Sequence, residues 1–383
     1  MELLYKEKLS FENINKSVGT VAFNENLDNN FNYLIHADNL KALKALLPFF
    51  HGKIDLIYID PPFSTNNVFR IGKRTGTISC SKNDEVAYSD NLKGGIFLEF
   101  LRQRLFFAKK LLSEQGSIYL HIDYKIGHYV KIIMDEIFGM ENFRNDITRK
   151  KCNPKNFERS AYGNIKDMIL FYSKSKKPIW NSPKIPYSNE DIERLFKKTD
   201  VNGRRYTTIP LHAPGETKSG VTNTAFNGIK PPQGRHWRCS PAELEELDKK
   251  GLIEWSKNGV PRKIIYADEK DGKKMQDIWE FKDPQYPQYP TEKNIDLLKN
   301  IITASSNENS IVMDFFCGSG TTLIAAEQLN RKWIGIDSSQ KAIETVQKRL
   351  LKINSLFLKK YKIIKLLENS FLENNDFIND KII

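Results

Sequence analysis

The stretch Ile54 to Asp60, Ile-Asp-Leu-Ile-Tyr-Ile-Asp, runs almost without a polar break and stops against Pro61-Pro62. An apolar run of strand length fits a strand covered on both faces, the hallmark of a parallel sheet. Two prolines then stop it, because they offer no N–H to a ladder. Runs of the same type recur at Ser117 to Asp123, Ser310 to Phe315 and Trp333 to Asp337, with a shorter one at Tyr33 to His36. Between them lie helical patterns: Asn39 to Phe50, Phe97 to Leu112 (closed by Gly116), His128 to Phe138, Lys293 to Thr303, Thr321 to Asn330 and Ser339 to Leu350. Strands alternating with helices predict one open, parallel α/β sheet, interrupted once.

The interruption is compositional. From 150 to 282, aromatics, prolines, glycines and basic residues mix without long apolar runs. The chain of 383 residues therefore divides into an arm (1–30), a first half of the α/β domain (31–149), an insert (150–282), a second half (283–350) and a tail (351–383). Ser64 to Gly95, polar and without periodicity, reads as a mobile loop. The charge balance, 59 basic against 47 acidic residues for a net +12, favours a polyanionic partner. A Lys- and Asn-rich composition can give the same sum, so charge supports that partner without proving it. Four cysteines with no paired spacing form neither a disulfide framework nor a zinc site, so no metal is expected. The first residues carry no apolar signal segment, and no apolar run reaches the roughly 18 residues of a membrane span. A soluble protein of the reducing cytoplasm is expected.

Ile311 to Thr322 reads as strand, tight turn (Gly318-Ser319-Gly320) and helix start. Glycines let a ligand approach the backbone, and the helix start offers unpaired N–H groups. A P-loop would need Gly-Lys-Ser/Thr, and Thr321-Thr322 stands there instead. A dinucleotide fingerprint needs a third glycine, and Leu323 stands in its place. Asp337 closes the next strand, where a carboxylate can accept ribose hydroxyls. The best account is a nucleoside cofactor without a pyrophosphate, of which S-adenosylmethionine is one.

Asp60-Pro61-Pro62-Phe63 follows an apolar strand, at the sheet edge where open α/β sheets place ligands. If the reaction is methylation of an exocyclic amino group, each residue has a task. The Asp60 carboxylate and the Pro61 carbonyl accept the two N–H groups. The prolines leave a loop of acceptors and hold Asp60 extended, and Phe63 stacks on the target ring. A plain proline-ended strand, with Asp60 capping and Phe63 packed, is the alternative for this turn taken singly.

Ile-Asp-Pro-Pro-Phe, followed far downstream by Phe-Cys-Gly-Ser-Gly-Thr-Thr and Ile-Gly-Ile-Asp, resembles the DNA amino-methyltransferases that modify adenine N6 or, less often, cytosine N4. The catalytic motif first, a long insert, and the cofactor motif last resemble the β class, which includes the modification subunits of type III restriction systems. Tyr289-Pro290-Thr291-Glu292-Lys293 is similar to the family's cofactor-side motif, and Asp38 to its acidic residue near the cofactor adenine. The resemblance implies a permuted Rossmann-like S-adenosylmethionine-dependent methyltransferase sheet with an inserted target-recognition region. It implies Asp60, Pro61, Pro62 and Phe63 as catalytic residues, and Asp38, Lys293, Asp314, Phe316, Gly318, Gly320, Thr321 and Asp337 as cofactor-binding. Expected partners are double-stranded DNA, a restriction endonuclease subunit and a second copy of the chain.

The amino group is hidden inside a duplex, so the base must be flipped out. In the insert and at its start, Lys150, Lys151, Arg204, Arg205, Arg235 and Arg238 are the candidate DNA-binding residues. Trp237 is expected in the insert's own core, and His121 is expected to be structural. The implied activity is adenine-N6 methylation. The alternatives are cytosine-N4 methylation, a non-catalytic DNA-binding subunit and, least supported, a nicotinamide oxidoreductase.

Overall fold

The computed structural model describes all residues except 1, 29, 63–67, 72–84, 90–93, 155–157, 159, 218–219, 286, 288–291, 354–359 and 367–383. Phe63 and Tyr289-Pro290-Thr291 thus lie outside the described residues. The described chain forms two compact units: residues 1–183 with 276–383, and residues 184–275.

The first unit is built on a nine-stranded sheet. In chain order its strands are β1 (Asn32–His36), β2 (Ile54–Ile59), β3 (Leu112–Ile122), β4 (Phe143–Lys150), β5 (Lys166–Ser173), β6 (Ile278–Trp279), β7 (Ile311–Asp314), β8 (Lys332–Asp337) and β9 (Tyr361–Lys365). Across the sheet they run β6-β4-β5-β3-β2-β7-β8-β1-β9. Leu56 and Ile57, whose side chains point to opposite faces, are both fully buried, as a strand covered by helices on both sides requires. The main helices are Asn39–Phe50, Gly94–Leu111, Tyr124–Phe138, Ile295–Ser305, Thr321–Gln328 and Gln340–Leu350.

Five departures from the sequence reading have physical causes. The sheet is not wholly parallel: β5 runs antiparallel to β3 and β4, and among the described residues no crossover helix joins it to β4. Gly116 does not close a helix. It lies inside β3, beside a register shift against β2, where a Cβ would meet the Ile54 carbonyl oxygen at 2.8 Å. The arm is no loose arm: Phe11–Ser17 is helical, and Ile14, Phe23 and Leu27 enter the main core. The tail supplies β9, which pairs with β1. Finally, the expected loop at 64–95 contains a backbone hairpin, Val68–Ile71 against Glu85–Ser89.

The second unit is smaller than the insert of 150–282, since β4's end, β5 and β6 belong to the main sheet. It holds a four-stranded antiparallel sheet, including Arg205–Pro210 and Pro261–Tyr266. Its helices Asn189–Leu195 and Pro241–Lys249 both begin with a capping box. Leu211, Phe226, Trp237 and Leu244 form its core, so Trp237 is buried there. The flanking pairs Lys184↔Lys274 and Ile185↔Lys273 close the unit with an antiparallel ribbon.

Candidate active site

The two motifs meet at the centre of the sheet. β2 and β7, although about 250 residues apart in sequence, are parallel neighbours, with Leu56 opposite Val312 and Ile57 opposite Met313. Parallel pairing puts both carboxyl ends on one edge, so the Asp60 turn and the glycine turn emerge side by side. The contact is completed from the third motif, where the Lys293 ammonium pairs with Asp60 Oδ2. Pro61 is buried and Pro62 half-buried.

The glycine turn is held from three sides. Gly318 and Gly320 have φ of 47° and 78°, the left-handed region that only glycine enters freely. A Cβ on Gly320 would also meet Val346 Cγ2 at 2.6 Å. Asp337 accepts hydrogen bonds from the Gly318 and Ser339 amides, at 2.9 Å each. Burial pushes its carboxyl up, while spare lone pairs leave it able to accept ribose hydroxyls. Asp314 is fully enclosed and accepts from the Thr322 hydroxyl at 2.6 Å and the Phe316 amide at 3.0 Å. Burial pushes its carboxyl up to about 7. Asp314 therefore serves the turn's own backbone.

Arg349 binds the Ser319 carbonyl and the Thr321 hydroxyl at 3.1 and 3.0 Å. It also pairs with Glu292 at 2.9 Å, fastening the chain beside Lys293 to the turn. Thr321 is buried within this network. Phe316 packs against Phe315 and Phe100, ring centres 5.2 and 6.0 Å apart. Leu323, which stands where a dinucleotide fold would have its third glycine, lies against Gly335, where a Cβ would meet Leu323 Cδ1 at 2.4 Å. Close helix–strand approach is thus achieved by a glycine on the strand instead.

Asp38 caps the helix Asn39–Phe50 through the Lys41 amide and pairs with Arg104 at 3.2 Å. Its side chain remains half exposed, and Asn39 next to it donates to the Phe315 carbonyl at 2.7 Å. The donor set fits S-adenosylmethionine: carboxylates for hydroxyl groups, an aromatic ring at Phe316, and no lysine within the turn to grip a pyrophosphate.

His121, which the sequence reading expects to be structural, is fully buried behind Asp60. Its Nδ1 lies 2.9 Å from the Tyr58 hydroxyl and its Nε2 3.2 Å from Asp167 Oδ2. The pattern apolar-His-Ile-Asp gives no signal for this, because both partners come from other strands.

The six candidate DNA-contacting cations differ in how committed they are. Lys151 binds the buried Asp167 at 2.6 Å. Arg204 forks onto Asp268 and Glu269 at 2.8–2.9 Å and lies over the Tyr266 ring. Lys150 reaches Glu280 at 3.3 Å. Arg205, Arg235 and Arg238 are exposed, and Arg235 lies 3.2 Å from His212 Nδ1.

An open α/β sheet with a buried glycine turn and an Asp-Pro-Pro turn on one edge is the arrangement of an S-adenosylmethionine-dependent methyltransferase. The family model described as DNA methylase, of the N6/N4 type, matches residues 54–348. The chain is 42% identical over 325 residues to the type II methyltransferase M.EcaI of Enterobacter cloacae, covering 83% of this chain and 69% of that one. It is 28% identical over 347 residues to the StyLTI Mod subunit, a type III restriction-modification enzyme of Salmonella typhimurium, and spans 82% of this chain but only 52% of that subunit. Among solved structures, M1.HpyAVI aligns with a TM-score of 0.44 at 18% identity, over 84% of this chain and 100% of that one. The chain belongs to the N6/N4 DNA methylase family. No described helix is long and apolar enough to cross a membrane.

Proposed function

We propose that this chain is a site-specific DNA adenine-N6 methyltransferase of a restriction-modification system, acting on a base flipped out of the duplex. The observation that carries the reading is the convergence of Asp60, Lys293 and the glycine turn at the paired ends of β2 and β7. An exocyclic amino nitrogen is a poor nucleophile, since its lone pair is delocalised into the ring. The Asp60 carboxylate and Pro61 carbonyl accept its two N–H groups, favour a pyramidal nitrogen and stabilise the charge that grows there. The prolines keep competing backbone donors away from those acceptors. Phe63 is the stacking residue of this proposal, and flipping costs about a few kcal/mol against roughly 1–3 kcal/mol returned per stacked base.

Asp38, Asp337, Phe316, Gly318, Gly320 and Thr321 would hold the cofactor, with Lys293 at its edge and Asp314 fixing the turn beneath. When bound, it supplies a sulfonium methyl as the electrophile. Arg205, Arg235 and Arg238 are the favoured phosphate contacts, being exposed, and Arg204 and Lys151 are secondary because internal carboxylates already hold them. The unit 184–275 is the target-recognition region of this reading. A companion restriction endonuclease and a homodimer are part of the same proposal.

The test is methyl transfer from labelled S-adenosylmethionine to duplex DNA, followed by mass spectrometry of the nucleosides. N6-methyladenine is the expected product, and Asp60→Ala is expected to lower turnover at least 100-fold. N4-methylcytosine as sole product would overturn the adenine assignment and leave the amino-methyltransferase reading intact.

A further inference from the structure

Behind Asp60 runs a line of buried polar groups that methyl transfer leaves unused. Asp60 Oδ2 faces Lys293, whereas Oδ1 is buried with no hydrogen-bond partner among the described residues. The atom opposite Oδ1 is His121 Nδ1, 4.0 Å away. His121 is fixed from behind by Asp167, which itself accepts from Lys151 Nζ at 2.6 Å and Arg149 Nη1 at 3.5 Å. Burial works to raise the Asp167 carboxyl, but its bonds to His121 and Lys151 win and hold it well below the usual range. An anionic Asp167 makes Nε2 the protonated nitrogen of a neutral ring. Nδ1 then carries a lone pair, towards which the Tyr58 hydroxyl donates. Asp60 Oδ1 therefore faces, across 4.0 Å, a nitrogen whose single lone pair is lent to Tyr58 and becomes open to a proton from Oδ1 when that hydroxyl turns.

We propose that His121 is a positioning residue and proton relay for Asp60, taking up through Nδ1 the proton that Asp60 receives from the methylated amino group. The inference rests on reading Asp60 as the acceptor of that amino group. The steps balance. The N–H bond of the cationic methylated nitrogen breaks, its electron pair stays on nitrogen, and the proton bonds to Asp60 Oδ2 in place of the Lys293 contact; a half-turn of the carboxyl about Cβ–Cγ then brings that O–H to the buried Oδ1 place facing His121. The Oδ1–H bond then breaks as Nδ1–H forms, and the Tyr58 hydroxyl turns away from donating. The resulting imidazolium lies between Asp60 and Asp167, with Lys293, Arg149 and Lys151 as the opposing charges. After product departure the proton returns through Asp60 to water, one per methyl transferred. Burial holds the imidazole below its ordinary value, so the relay is neutral and ready at pH 7.

The tests use the full chain. Nitrogen-15 NMR of labelled histidine, with His121→Gln for assignment among the six histidines, is expected to show His121 as the neutral Nε2–H tautomer at pH 7.5. The Nδ1–H tautomer would overturn the relay. Gln keeps a donor for Asp167 but nothing at the Nδ1 place, so single-turnover methylation is expected to fall about 100-fold, with S-adenosylmethionine and DNA affinities within twofold. Should His121→Gln not fold, Tyr58→Phe serves. Losing the donated hydroxyl makes Nδ1 more basic, so the acid limb of the rate profile moves to higher pH, and an unmoved limb overturns the relay. Asp60→Ala separates the two ideas: turnover lost there but unchanged in His121→Gln sinks the relay alone, whereas turnover kept in Asp60→Ala sinks both.

Discussion

Asp314 carries a buried carboxyl whose only described donors are the Thr322 hydroxyl and the Phe316 amide. Two neutral donors offset part of the cost of enclosing a charge, and its carboxyl rises to about 7 from an ordinary value of 3.8. The folded chain thus holds a proton that the unfolded chain has released. This contribution to stability is complete below about pH 4 and is lost as pH climbs to about 7. Asp314→Asn keeps a hydrogen-bond acceptor and removes the titration. Urea unfolding at pH 5 and pH 8 should show the substitution relatively more favourable at pH 8, by on the order of 2 kcal/mol. Equal effects at the two pH values would contradict the enclosed charge. At this scale, legibility followed locality. Asp60, Gly318, Gly320 and Asp337 stood out because neighbours in sequence define their chemistry. His121 did not, since Tyr58 and Asp167 lie 63 and 46 positions away.

Among the elements, the helix Thr321–Gln328 and β8 show how a missing glycine is compensated. Leu323 leans on Gly335, and a Cβ there would come within 2.4 Å of Leu323 Cδ1. Gly335→Ala is expected to cost about 1–3 kcal/mol through overpacking. The Leu323→Ala change should cost about 2–5 kcal/mol by opening a cavity. Combined, they should cost less than their sum by at least about 0.5 kcal/mol, since each relieves the other. Thermal or denaturant unfolding of the four proteins measures this, and strict additivity would rule out the contact. Helix Asn39–Phe50 was legible to the residue, because its apolar residues recur at helical spacing, and Asp38 proves to cap it. β5's direction was not, because orientation depends on which strand accepts it. β9 was hidden for a related reason: in Tyr361–Lys365 the lysines stand at 362 and 365, out of step with the two-residue alternation of a strand, and the segment becomes a strand only against β1.

For the whole molecule, the two-unit division and the closing ribbon predict a clean excision. Lys184 and Lys274 are paired, and paired strands lie about 4.8 Å apart, so a short Gly-Ser linker can replace 184–275. The remaining protein should fold and be thermally stabilised by S-adenosylmethionine. Site-specific methylation should vanish, and the salt dependence of its DNA binding should become shallower than that of the intact chain as phosphate contacts are removed. Methylation of the same target sequence by the excised form would remove 184–275 from target selection. The sequence showed that an insert exists by its loss of apolar periodicity. Its edges were misplaced by about 34 residues at the start, because β5's apolar run falls inside the change of composition.

The pairing of β2 with β7 has a temporal side. A ribosome adds on the order of 5–20 residues each second, so Ile57 waits tens of seconds for Met313. Throughout that interval β2, already flanked by β3, offers an unpaired apolar margin of the kind that chaperones shield and that neighbouring nascent chains can join. Low temperature or a rare-codon pause before Ile311 should therefore raise the aggregated fraction during expression, without any change in the finished protein.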